Sequence, residues 1–169
     1  MSGVASSASG FTIIELVAAL CVTALIAAVG FSAYRTYKVR DRIAATLVRS
    51  EPLQARIVAS FHRFGVPPHD ATAAGLPEDA RGLLGDYVAS VAVSDGRIDI
   101  RYGTAADAAI AGRTLSLTPF ETASRDVVWV CGNALPGAGL EPLGFAGGAQ
   151  RAVQTITTIE PRFLPSACR

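Results

Sequence analysis

Leu16 to Ala33 contain no charged side chain, and their only clearly polar members are Thr23 and Ser32. As a helix rising about 1.5 Å per residue, this run, with Phe11–Ile14 ahead of it, comes close to the ~30 Å hydrocarbon core of a bilayer. One carboxylate, Glu15, interrupts it near its start. A charged group at such a place costs about 2.5–3.5 kcal/mol on insertion scales. A chain that carries this cost is expected to supply a partner charge. The 169 residues leave room for one further domain, and a net charge of +1 provides no global field for nucleic acid or acidic substrates.

The order of features is wrong for a secretory signal. The small polar residues of MSGVASSASG, Met1 to Gly10, precede the apolar run, whereas a cleaved signal carries its small residues after it. Cleavage downstream would discard the segment that holds Glu15.

No strong breaker follows, so one helix is expected from about Phe11 to Phe64. Its second half is amphipathic, with Val39, Ile43, Leu47, Leu53, Ile57, Phe61 and Phe64 at helical spacing. Pro52 removes one hydrogen bond, to the Val48 carbonyl, and is expected to bend the helix; Gly65, Pro67 and Pro68 end it. Seven of the fifteen basic residues lie between Arg35 and Arg63, against only Asp41 and Glu51. That stripe suits DNA or anionic lipid, but no aromatics interleave for stacking, which favours a solvated helix face.

Beyond a connecting loop over 65–86, with a short helix expected near Glu78–Leu84, four strands are predicted: Tyr87–Val93, Arg97–Tyr102, Arg113–Thr118 and Asp126–Val130. Ser94-Asp95-Gly96 between the first two is a strong hairpin signal. Short connections imply an antiparallel meander packed on the apolar helix stripe. Cys21 lies in the apolar run and reads as a small residue inside a helix bundle, while Cys131 and Cys168 lie in the last third. The latter two suggest one disulfide and an oxidising compartment, with two buried free thiols as the alternative. Neither CxxC nor a nearby histidine supports zinc. His62 and His69 are the only histidines, and no GxSxG, P-loop, HExxH or carboxylate pair is present. Neither an enzyme, a cofactor nor a metal is expected.

Gly10-Phe-Thr-Ile-Ile-Glu15-Leu, opening an uncharged helix, resembles the processing site of type IV prepilins. The resemblance continues through Tyr34-Arg-Thr-Tyr37 and Arg40. It extends to Gly96-Arg-Ile, Gly112-x-x-Leu-x-Leu-x-Pro119, Val128-Trp-Val-Cys131 and the closing Phe163-Leu-Pro-Ser-Ala-Cys168-Arg169. It implies cleavage between Gly10 and Phe11 by a prepilin peptidase, which also N-methylates Phe11, and retention of the helix. It implies further that Glu15 of one subunit lies against the Phe11 ammonium of its neighbour, and that Cys131 and Cys168 are bridged. Met1–Gly10 lacks the Lys or Arg usual in such leaders, and Ser32 stands where many pilins have Pro.

The expected fold is α+β: a long N-terminal helix, half transmembrane and half amphipathic, packed on a four-stranded antiparallel sheet with a disulfide-closed C-terminal loop. The implied organisation is a leader over 1–10, a membrane and polymerisation half over 11–34, and an amphipathic half over 35–64. A globular head over 65–169 then divides into a loop at 65–86, the sheet at 87–130 and the bridged loop at 131–168. The implied role is a type IV pilus subunit, serving adhesion, twitching motility or DNA uptake. Its partners would be further copies of itself, other pilins, the peptidase/N-methyltransferase and the inner-membrane assembly machinery, with surfaces or DNA as outward contacts. It would be stored in the inner membrane of a Gram-negative-type bacterium and then displayed outside. A minor pilin or a type II secretion pseudopilin is the alternative. A membrane-anchored periplasmic binding domain is a third reading, but it gives Glu15 no job.

Overall fold

The computed structural model describes residues 11–77, 79–148 and 150–169. One α-helix, α1, runs over Ile13–Phe64. The chain divides into two compact units, one ending at Thr36 and the other spanning Tyr37–Arg169.

In the first unit every residue from Phe11 to Arg35 is exposed, Cys21 among them. Ile13, Ile14, Leu25 and Val29 are each more than two-thirds uncovered. An apolar helix with no core of its own to cover is suited to lipid or to other helices, not to the interior of a globule.

In the second unit α1 buries Val39, Ile43, Thr46, Ser50, Leu53, Ile57 and Phe61, each three or four residues after the last. This narrows and corrects the expected stripe. Leu47 sits at its margin, and Phe64 lies outside it at 62% exposure. Thr46 and Ser50 replace them because their hydroxyls donate back to helix carbonyls, Thr46 to Arg42 at 2.9 Å and Ser50 to Leu47 at 2.6 Å. Satisfied in this way, a small polar side chain can occupy the seam. Pro52 does not interrupt the helix. The carbonyl it leaves without a donor belongs to Val48, and both residues are on the exposed side, where water can serve it.

Four strands follow: β1 (Val88–Ser94), β2 (Arg97–Tyr102), β3 (Thr114–Glu121) and β4 (Val127–Cys131), antiparallel and in chain order. The β1–β2 turn has the two left-handed residues of a tight hairpin, Asp95 at φ 49° and Gly96 at φ 82°. It docks on the preceding loop through a bond from the Gly96 N–H to the Pro68 carbonyl at 2.8 Å. The short helix expected near Glu78–Leu84 is a 3-10 turn over Ala80–Leu83.

β3 is longer than expected, continuing through Pro119. The last β2–β3 pair is Ile98 with Leu117, so position 119 lies beyond that ladder, where no carbonyl of β2 calls for its missing N–H. The far end of β3 instead takes a two-residue strand, β5 (Glu141–Pro142).

Ile98, Ile100, Tyr102, Leu115 and Leu117 share one core with Ile43, Leu53 and Ile57 of α1. Tyr102 is 1% exposed, and its hydroxyl has no partner in hydrogen-bonding geometry. Burial pushes it up to about 12; the neighbouring Thr46 hydroxyl, already donating to Arg42, offsets this only in part. Because the folded value exceeds the unfolded one of about 10, this stabilisation is complete below pH 10 and is lost as pH rises toward 12, an effect of roughly 2–3 kcal/mol. Tyr102→Phe is therefore expected to leave stability near pH 7 unchanged or slightly raised and to flatten its decline between pH 10 and 12. Urea denaturation at both ends of that range checks this; a variant that keeps the full alkaline loss contradicts it.

Candidate assembly site and disulfide-bounded loop

Phe11 and Thr12 precede the helix, and Glu15 stands in its first turn. Thr12 caps that turn: its side-chain oxygen accepts from the Glu15 N–H at 3.4 Å, and its carbonyl accepts from Glu15 and Leu16, both at 3.1 Å. Thr12-Ile-Ile-Glu15 has the spacing of a capping box, a signal legible in the sequence that the motif-based reading passed over. Thr12 thus fixes where the rigid helix begins and leaves Phe11 outside it. Glu15 also lies at the positive end of the helix dipole, which lowers the cost of its charge in a single chain. Gly10 and the rest of the expected leader lie outside the described residues. Thr12→Val, which keeps the shape but not the cap, is expected to cost about 1 kcal/mol in the first turn. The resulting fraying should show as faster hydrogen exchange over Ile13–Leu16, while Thr12→Ser should restore protection.

Cys131 and Cys168 are joined, with Cα atoms 4.6 Å apart and 37 positions between them in sequence. The bridge is buried against the core. Gly132, at φ 62°, is required beside it, since a Cβ there would lie 2.6 Å from the Cys168 carbonyl oxygen. The loop between the cysteines has little regular structure and is pinned at separate points. Arg97 Nη1 donates to the Val153 carbonyl at 2.8 Å while the same guanidinium grips Asp99 at 2.8 Å. Gln150 Nε2 reaches Asp95 at 3.2 Å, Gln154 Nε2 reaches the Ala134 carbonyl at 2.9 Å, and Thr158 exchanges two bonds with Thr114. Leu135, Val153 and Ile156 remain exposed on it.

The basic stripe on α1 is not simply a solvated face. Arg40 Nε donates to the Arg162 carbonyl at 2.8 Å, Arg49 Nη1 to Leu84 at 3.4 Å and Arg56 Nη1 to Gly75 at 2.7 Å, and Arg42 lies 4.6 Å over the Tyr87 ring. These guanidiniums fasten the C-terminal segment and the loop before β1 to the helix. His69 pairs with Asp70 at 3.0 Å on the surface, and among the described residues no three His, Cys, Asp or Glu side chains gather as a metal site.

A family model described as "Pilin (bacterial filament)" matches residues 39–169. A type IV major pilin protein of Neisseria gonorrhoeae is 27% identical over 161 residues, covering 95% of this chain and 86% of its own length. A fimbrial protein of Neisseria meningitidis serogroup B is also 27% identical over 161 residues, covering 95% of this chain and 93% of its own. The matched region takes in the amphipathic half of α1, the sheet and the bridged loop together: the chain belongs to the pilin family of bacterial filament proteins.

Proposed function

We propose that the chain is the structural subunit of a type IV pilus, a filament built by packing the N-terminal halves of many copies of α1. The observation that carries this reading is the bare first half of that helix, exposed from Phe11 to Arg35, with one carboxylate in its first turn. Lipid can cover the apolar surface while the subunit is stored in the inner membrane, and neighbouring helices cover it in the filament.

Processing supplies the missing charge. Cleavage between Gly10 and Phe11 by a prepilin peptidase frees an α-amine, methylated on Phe11, that meets Glu15 of a neighbouring copy. Each charge is expensive alone in a low dielectric, whereas the pair fixes axial register, because a slipped subunit leaves a charge unmatched. The leader over 1–10, the polymerising half over 11–34 and the supporting half over 35–64 follow from this division of labour. The inner-membrane assembly machinery then moves subunits into a filament outside the cell, where adhesion, motility or DNA uptake are carried by the filament as a whole.

The test is to remove the gene and examine mechanically sheared surface material by electron microscopy. Loss of the filaments, and their return with the intact gene, is the expected result. Filaments of unchanged number and composition without this chain would reject its role as their principal subunit.

A further inference from the structure

We propose that the globular head binds a carboxylated saccharide in the cleft between the Ala80–Leu83 turn and the neighbouring ends of β1 and β2. This cleft, of about 450 Å³, is lined by Arg81, Asp86, Ser90, Arg101, Gly103 and Thr104, among others. The inference does not require assembly into a filament.

Arg101 is its anchor. It lies on β2 between two short hydroxylated neighbours in register, Ser90 on β1 and Thr114 on β3, so its backbone is held rigidly while its side chain is exposed. The nearest carboxylate along its strand, Asp99, is already gripped by Arg97. Among the described residues Arg101 has no side-chain hydrogen bond or ion pair, which leaves its donor fork open to a carboxylate.

The lining favours an anion through Arg101 and a polyhydroxylated one through its short polar side chains. Arg49 packs against Gly85 and Arg42 covers Tyr87, so guanidiniums of α1 hold the chain on both sides of Asp86. Arg81 is balanced by Asp79 at 2.8 Å. Asp86, Ser90 and Thr104 supply the acceptors and hydroxyls that sugar hydroxyls need, and a carboxylate in the lining disfavours a polyphosphate. Single-stranded nucleic acid would want an open ring face for stacking, and the Tyr87 ring is taken by Arg42. A uronate unit meets both demands: its carboxylate on Arg101, its hydroxyls on Asp86, Ser90 and Thr104.

The test uses the full chain in detergent micelles, titrated with a glucuronate trisaccharide, with maltotriose as the neutral sugar and with a short oligothymidylate. Saturable binding of the glucuronate alone is expected, shifting amide resonances over Asp86–Ser90 and Arg101–Thr104. Arg101→Gln should weaken it at least tenfold with an unchanged melting temperature, and Arg151→Gln, outside the cleft, should not. Equal binding of maltotriose, equal or tighter binding of the oligothymidylate at the same amides, undiminished binding by Arg101→Gln, or no binding at all would each overturn the proposal.

Discussion

Glu15→Ala is expected to be processed like the native chain and to yield few or no filaments. The carboxylate is exposed in the single chain and forms no part of its core, so the substitution leaves the head intact. On the proposed pairing, what it removes is the partner of the Phe11 ammonium of a neighbouring copy. Breaking a buried pair by deleting one member costs roughly 3–5 kcal/mol, a factor above a hundred per contact, and every subunit in a filament would pay it. Glu15→Gln separates the charge of this side chain from its shape. The amide keeps the size, and the backbone bond to the Thr12 cap is untouched, but it carries no charge. If Glu15→Gln assembles as well as the native chain, the charge pairing does not explain Glu15. If both variants fail while their N-terminal masses are native, the charge is what assembly needs.

Removing the bridge is the second large effect. Replacing Cys131 and Cys168 together by Ser opens a 38-residue loop (37 positions apart, both ends counted). On the chain-entropy model that costs about 4 kcal/mol. For a head of this size it corresponds to a fall of roughly 10–15 °C in Tm. The loop has few means to compensate. It holds six glycines between Gly132 and Gly148 and, among the described residues, one two-residue strand, and apart from a few buried anchors such as Leu143 and Ile159 it hangs on scattered contacts such as Arg97 to Val153. Hydrogen exchange should therefore quicken first over residues 133–158, with the β1–β2 hairpin protected until global unfolding. A Tm within about 3 °C of native would mean that the pinning contacts, not the bridge, hold the loop.

The sequence was most legible where one local rule acted alone. The long helix followed from periodicity without breakers, and the first hairpin from Asp95-Gly96, whose positive φ angles are what that turn requires. Where two influences met, the reading missed. Thr46 and Ser50 look like surface residues until their back-bonding to the helix is seen, and Pro119 looks like a strand end until β2 is found to stop short of it. The arginines of α1 formed a stripe by composition, but their carbonyl partners at Gly75, Leu84 and Arg162 lie far along the chain, where no local pattern points to them. The disulfide was suggested by two cysteines outside the apolar run, with free thiols as the alternative, and the resemblance of the chain's ending to pilins pointed to the bridge that joins Cys131 and Cys168. The proposed pairing of Glu15 would be a property of two chains and is visible in no single one. The Thr12 cap, by contrast, was written in the spacing of Thr12 and Glu15.

The decisive measurement is the mass of the N-terminal peptide of the chain, taken separately from sheared surface material and from membranes. If the chain is a processed filament subunit, the sheared fraction contains a form that begins at N-methyl-Phe11 and lacks residues 1–10. A chain that retains Gly10 and the residues before it in both fractions would leave Glu15 without its ammonium, and assembly through that pair would be ruled out.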